Sequence, residues 1–208
     1  MGTSVGSDVE RADEAPEPQL STAAAQAAEP EGPLEIGLLG DLSVRRAGEA
    51  VELPRSRKCR ALIAYLALNP RPQRREALCE LLWDVPDDPK GELRWSLSKI
   101  RRVLGEALVT GRDTVAIDQC GVRVDVAELL AAAKRRDSAE TAELERLAAG
   151  GTTGFGQDLD MPRCPEFESW LIAIREDVRQ AQLAILGELV GRFDGDPDRA
   201  LPFARTRV

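Results

Sequence analysis

The chain has 208 residues, of which 43% are hydrophobic, and this share is enough to bury a core and excludes a wholly disordered chain. No apolar run approaches the roughly 20 residues of a membrane span, and we expect neither a membrane segment nor a secretory signal. The four cysteines form no C-x-x-C pair, so we expect reduced thiols in a cytoplasmic protein. Because histidine is also absent, we expect a protein that is not an enzyme and needs no metal or cofactor.

The net charge of −8 is distributed unevenly along the chain. Residues 55–104 contain twelve Lys and Arg against six acids, whereas residues 1–33 contain seven acids against one Arg. Residues 34–54 and 105–208 are also acidic overall. Because the local field near a docking face governs the attraction of phosphate, the basic block is a candidate contact for nucleic acid. A set of ordinary solvated helix faces would explain the same composition.

The N-terminal part combines two kinds of sequence. Residues 1–33 contain almost no large apolar side chain, which predicts a disordered acidic tail. Apolar and polar residues alternate over 34–39, 42–45 and 50–53. This alternation predicts three short antiparallel strands, which end at Pro54.

Three helices and a strand pair are expected next. Residues 60–68 are apolar nearly all round, which predicts a central buried helix, and 74–83 and 91–104 follow as amphipathic helices. Residues 114–117 and 122–124 alternate around a turn-rich link and predict a hairpin. Three short helices followed by a strand pair are typical of a winged helix.

The remaining chain is predicted to be helical. Helices are expected over 126–136, 139–149 and 166–193, and a last one from residue 197 to the end. Long helix pairs of this kind are typical of helical repeats, which need neighbours to bury their faces, so we expect an incomplete repeat. The Gly-rich segment 150–156 follows no strand and lacks a GK[ST] string, which disfavours a phosphate loop.

The third helix carries the strongest functional signal. Leu93, Leu97, Ile100 and Leu104 form a narrow apolar stripe that is expected to pack inward. The opposite face contains cations, a hydroxyl and an indole, but no acid: Arg94, Trp95, Ser98, Lys99, Arg101 and Arg102. Solvated faces usually mix charges, so this face favours DNA recognition in the major groove over an ordinary solvated helix. Trp95 either leans on a neighbouring element or contacts a DNA sugar or a thymine methyl.

Several strings in this chain resemble the Streptomyces antibiotic regulatory protein (SARP) family of activators. They are KCRALIAYLAL from residue 58, RREALCELLW from 74, LRWSLSKIRR from 93, and PEFESWL from 165 with Arg175. The family combines an OmpR/PhoB-type winged helix with a bacterial transcriptional activator domain (BTAD) of tetratricopeptide-like helices. The resemblance therefore implies an α+β winged helix-turn-helix with an N-terminal antiparallel sheet over 34–125, followed by the start of a BTAD over 126–208, truncated at its C-terminus.

The resemblance also implies roles for individual residues. The exposed face of the third helix would enter the major groove, with Lys90 among the DNA-binding residues. Arg74 and Arg75 would open the helix that abuts the DNA backbone, and Arg112 or Arg123 would place the wing near the minor groove. The turn-rich loop that would contact RNA polymerase, if it is not a plain capped turn, contains Asp84, Val85, Asp87 and Asp88.

Two functions from different classes stay open on the sequence alone. The first is an activator that binds repeated promoter sites in double-stranded DNA, recruits RNA polymerase and forms a homodimer on DNA. The second is a protein-interaction module with little DNA binding of its own, which the acidic flanks favour and the acid-free face of the third helix disfavours. Salt-dependent binding to promoter DNA distinguishes the two.

Overall fold

A computed structural model of the chain describes residues 1–2, 32–83, 88–150 and 153–206. Within these ranges the chain forms two small sheets and seven α-helices. The predicted disordered tail lies almost wholly outside the described residues, as does most of the predicted polymerase-contact loop. No helix in the described ranges is long and apolar enough to span a membrane.

The first sheet confirms the predicted N-terminal strands and adds a fourth. Its members are β1 (Leu34–Gly37), β2 (Ser43–Arg46), β3 (Glu49–Ala50) and β7 (Val122–Val124). The order is β3-β2-β1-β7, and the first three strands are antiparallel. Strand β7 pairs with β1 in parallel, so the sheet is mixed at that edge. Alternate residues of β1 and β2, among them Ile36 and Val44, are buried under the helices.

The second sheet is the wing, and its pairing corrects the sequence prediction. Its strands are β4 (Gln73–Arg74), β5 (Leu108–Thr110) and β6 (Thr114–Ile117), in the antiparallel order β4-β6-β5. The predicted hairpin between 114–117 and 122–124 is wrong. Strand β6 pairs with β5 across the tight turn 111–113, closed by a hydrogen bond from Gly111 N to Thr114 O, while β7 pairs with β1 instead.

Three helices pack between the sheets, close to their predicted positions. They are α1 (Arg57–Leu68), α2 (Arg75–Leu82) and α3 (Pro89–Leu104). Helix α1 begins earlier than predicted because the Ser56 hydroxyl caps it by accepting from Cys59 N. Helix α3 is capped by Asp88, which accepts from Gly91 N at 2.8 Å. A Cβ atom on Gly91 would meet that carboxylate, so a larger residue there would displace the exposed Asp88 side chain from its capping position.

Four helices form the C-terminal part, as predicted. They are α4 (Asp125–Lys134), α5 (Thr141–Ala149), α6 (Pro165–Arg192) and α7 (Pro197–Thr206). Helix α6 packs against α4, α5 and α7, and also against α2 of the N-terminal part. The described residues therefore form an α+β winged helix followed by helices.

The segment between α5 and α6 returns to the first sheet and joins the two parts. Phe155 forms a β-bridge with Leu39 and contacts Trp170 of α6 edge-on, with ring centroids 5.9 Å apart. Asp158 accepts from Leu42 N at 2.9 Å and forms a 3.1 Å ion pair with Arg60 of α1. One continuous apolar core therefore runs through the winged helix and the helical part.

A single carboxylate fastens β1 to α4. Asp125 is the first residue of α4 and accepts hydrogen bonds from Leu38 N, Leu39 N and Val126 N at 2.7–3.1 Å. We name this arrangement the Asp125 clamp. Burial raises the pKa of Asp125 above its ordinary value, and the three amide donors oppose that rise.

Candidate nucleic-acid interface

Helix α3 separates an apolar side from a cationic side. The predicted stripe of Leu93, Leu97, Ile100 and Leu104 is buried, as are Ser96 and Val103 beside it. Gly105, with a φ of 57°, ends the helix, and its N–H donates to Arg101 O. The packing thus fixes which side of α3 faces outward.

The outward side of α3 carries three of the predicted cations in accessible positions. We name it the cationic face, and it consists of Arg94, Trp95, Ser98, Lys99 and Arg102. Arg94 is 73% exposed and lies 3.9 Å from the Asp88 carboxylate, too far for a strong pair. In the described part of the chain, Lys99 and Arg102 form no ion pair. Their charges are therefore available to an anionic partner.

Trp95 lies on this face and is about half exposed. Its side chain is 49% exposed, and the Lys99 ammonium lies 5.3 Å from the ring centroid, a cation–π distance. The Ser98 hydroxyl donates to Trp95 O at 2.7 Å, so its proton is used within the helix. The indole and the hydroxyl therefore lie next to each other in fixed positions.

Arg101 was predicted to face the major groove together with these residues, and the structure places its head group elsewhere. Its guanidinium donates to Leu108 O at 2.9 Å and to Thr110 Oγ1 at 3.0 Å, both on β5. The long side chain reaches from the helix back to the wing. Arg101 is thus a positioning residue that fixes the wing against α3.

A basic cleft of about 560 Å³ lies between the start of α2, the first turns of α3 and the turn of the wing. Its wall contains five cations and two acids: Arg74, Arg75, Lys90, Arg94, Arg112, Glu76 and Asp113, with Leu93 and Gly111 between them. The sequence predicted all five cations as DNA-binding residues, and the structure brings them to one cavity. The cleft joins the cationic face through Arg94, which borders both.

Arg75 builds the floor of this cleft. Its backbone N–H donates to Asp113 O at 2.9 Å and its guanidinium to Gly111 O at 3.2 Å, which ties α2 to the wing turn. The Nε atom of Arg75 is buried and has no partner among the described residues. Arg112 lies at the tip of the same turn and is exposed.

The prediction that Arg123 lies on the wing is wrong. Arg123 belongs to β7 of the first sheet, where its guanidinium binds Glu128 at 2.9 Å and lies 3.5 Å from Glu35. The hydrogen bond to Glu128 raises the pKa of Arg123 and lowers that of Glu128. The misassigned hairpin caused this error, because Arg123 is on the wing only if β7 pairs with β6.

The predicted polymerase-contact loop is described only at its end. Asp84, Val85 and Asp87 lie outside the described residues, and Asp88 is the cap of α3. Sequence reasoning missed Gly111, Asp113 and Thr110, which hold Arg75 and Arg101 in place. The Gly-Arg-Asp turn between two β-prone segments was the signal that identifies them.

The comparisons with known proteins agree with this architecture. No protein-family model matches the sequence, and the search of curated proteins finds no match. Among solved structures, the chain is similar to Mycobacterium tuberculosis EmbR in complex with a low affinity phosphopeptide, with a TM-score of 0.58 and 22% identity. The match covers 85% of this chain and 54% of that one, so this chain spans about half the length of EmbR. The likeness shows the fold, a winged helix-turn-helix followed by a helical domain.

Proposed function

We propose that this protein is a sequence-specific transcriptional regulator that binds double-stranded promoter DNA through α3 and the wing. The observation that carries the proposal is the continuous surface formed by the cationic face and the basic cleft. The cationic face and four of the five cleft cations, all but Arg112, lie in the basic block 55–104 of a chain whose net charge is −8. Positive charge concentrated on one side of an acidic protein is the electrostatic pattern of a nucleic-acid contact.

The dimensions of α3 fit the major groove. Its 16 residues correspond to a length of about 24 Å at 1.5 Å per residue. The groove is about 12 Å wide and admits a helix whose outward side chains reach the base edges. Arg94, 73% exposed, is a base-reading candidate because a guanidinium can fork onto guanine O6 and N7. Lys99 and Arg102 suit phosphate, which attracts cations without regard to sequence.

The basic cleft supplies the second set of contacts. Arg74, Lys90 and Arg112 surround its mouth and suit a phosphate of the backbone that passes between α2 and the wing. Arg75 fixes the wing turn relative to α2, so the exposed Arg112 is held on the same side as α3. These contacts set the orientation of the protein, and α3 reads the sequence.

The finer assignments follow the family resemblance. Under this proposal the DNA-binding domain spans 34–125, the BTAD begins at 126, and the protein acts as a non-enzymatic activator that recruits RNA polymerase. The similar protein EmbR was solved with a bound phosphopeptide, which supports protein partners for this chain as well. A protein-interaction module is the second candidate function, and the acidic surroundings of the basic block support it.

Fluorescence anisotropy with labelled duplexes tests the proposal. A site is first selected from randomised duplexes, and affinity is then measured on that site and on unrelated DNA at several salt concentrations. Arg94→Ala is expected to weaken binding to the selected site by about 1–3 kcal/mol and to relax its base preference. Lys99→Ala is expected to weaken all duplexes alike and to reduce the salt slope by about one unit.

A matched control removes the same charge elsewhere. Arg205 on α7 is exposed and far from the cationic face in sequence and in the fold, so Arg205→Ala is expected to leave binding unchanged. If Arg94→Ala binds the selected site and unrelated DNA as the parent does, the interface is misassigned. If the parent binds no duplex at low salt, the interaction-module candidate replaces the proposal.

A further inference from the structure

We propose that Trp95 and Ser98 together read one A·T base pair, with the indole against the thymine methyl and the hydroxyl accepting from adenine N6. The inference rests on the proposed function and names the base pair that this part of α3 selects. It follows from the positions of the two side chains within the protein.

The Trp95 indole is a large apolar surface that the protein leaves half uncovered. The Lys99 ammonium lies 5.3 Å from the ring centroid, and 49% of Trp95 is exposed. On a face otherwise made of cations and a hydroxyl, this indole is the one side chain that suits an apolar group. The C5-methyl of thymine is the apolar group that the major groove offers.

The Ser98 hydroxyl is restricted to accepting. Its proton is donated to Trp95 O at 2.7 Å, so only the oxygen lone pairs face outward. The hydrogen-bond donors in the major groove are the amino groups of adenine N6 and cytosine N4. Ser98 is therefore expected to select a base pair by one of these amino groups.

A single base pair can supply both the apolar group for Trp95 and the amino donor for Ser98. Trp95 and Ser98 are three residues apart on α3, which places them side by side on one face of the helix. An A·T pair presents an amino donor and a methyl group together, whereas a G·C pair presents an amino donor without a methyl. The combination therefore favours A·T at the position that these residues contact.

Removing the methyl alone tests the contact with Trp95. In the site selected from randomised duplexes, each thymine is replaced in turn by deoxyuridine, and affinity is measured by anisotropy with the full chain. We expect one thymine per protein-bound half-site at which the replacement weakens binding about fourfold, the contribution of one buried methyl group. Trp95→Ala is expected to bind the thymine and deoxyuridine duplexes equally at that position.

Ser98 is tested at the partner base. Replacing the adenine of that pair by purine, which lacks N6, is expected to weaken binding by the parent several-fold, and Ser98→Ala is expected to bind both duplexes alike. Ile172→Ala on α6, another exposed apolar side chain at 65% exposure, serves as the control and is expected to keep the full sensitivity to deoxyuridine. Trp95→Phe, which keeps an apolar ring, is expected to retain part of that sensitivity.

The outcomes separate this inference from the proposed function. Sequence-specific binding that is insensitive to deoxyuridine at every thymine overturns the inference and leaves the proposed function intact. Sensitivity that persists in Trp95→Ala also overturns it. If Trp95→Ala does not fold, Trp95→Phe is tested in its place. The inference is then overturned if Trp95→Phe is as sensitive to deoxyuridine as the parent protein. If no duplex binds at low salt, the proposed function fails and the inference fails with it.

Discussion

Replacing Asp125 with alanine removes the acceptor on which three backbone N–H groups converge. Leu38 is fully buried, so its N–H finds no water once the carboxylate is gone, whereas the small cavity of about 240 Å³ beside Asp125 lets water reach part of the site. A buried donor without a partner costs about 1–3 kcal/mol, and one or two such donors would result. We therefore expect Asp125→Ala to lower the free energy of unfolding by about 2–4 kcal/mol.

Asp125→Asn is the matched control, because its side-chain oxygen still accepts from Leu38 N or Val126 N. It is expected to lose about 1 kcal/mol, less than the alanine variant. Urea unfolding of the full chain at pH 7, followed by circular dichroism, measures both values. The clamp has no energetic role if Asp125→Ala unfolds at the same urea concentration as the parent.

The same pair of proteins gives a pH dependence. Burial raises the folded-state pKa of Asp125 above 3.8, so the native state holds this proton more tightly than the unfolded chain. The contribution of Asp125 to the free energy of unfolding is therefore greatest below pH 3.8, and it is lost as the pH rises through the folded-state pKa. Relative to Asp125→Asn, the parent is expected to be more stable at pH 3.5 than at pH 7. A difference that is constant with pH, or that grows toward neutrality, contradicts this assignment.

Three further results are expected. Arg101→Ala removes both hydrogen bonds to β5 and is expected to lower the free energy of unfolding by about 1–2 kcal/mol. It is also expected to weaken DNA binding without changing base preference, which is measured on selected and randomised duplexes. Deleting residues 2–31, which are rich in acids, is expected to tighten DNA binding at low salt and less so above 0.1 M, where the Debye length falls below about 10 Å; equal affinity at low salt identifies an inert linker. On a duplex with two repeats, sedimentation is expected to show two protein chains, and one chain at saturation refutes a dimer on DNA.

The helices could be predicted because their signals are local. The apolar stripe of α3 and the proline that starts α7 are readable within a few positions of the sequence. Strand pairing is not local, and there the prediction failed. The link 118–121 resembles a hairpin turn, yet β7 finds its partner in β1, far earlier in the chain. Strand β5 was missed because three residues carry too little alternation to be recognised.

For the candidate site, too, the local signals could be predicted from the sequence and the non-local contacts could not. The helical periodicity of α3 identified the outward residues, and Arg94, Lys99 and Arg102 indeed face outward. Periodicity fixes where a side chain leaves the helix but not where a long one ends, and Arg101 turns back to β5. Arg123 was misplaced by the incorrect pairing of its strand. The basic cleft itself depends on the wing turn, whose partners lie in α2 and α3.

The return of the chain to its first strands has a consequence for biosynthesis. Leu38 N donates to an acceptor 87 positions later in the chain, and Leu42 N to one 116 positions later. As the chain leaves the ribosome, the first sheet therefore lacks its fourth strand until β7 has emerged, and the Leu42 N–H does not reach its acceptor until Asp158 has emerged. Closing such long loops makes folding slow and late. The winged-helix part therefore completes its contacts only after α4 and α5 have been synthesised, which keeps it from maturing separately from the helical part.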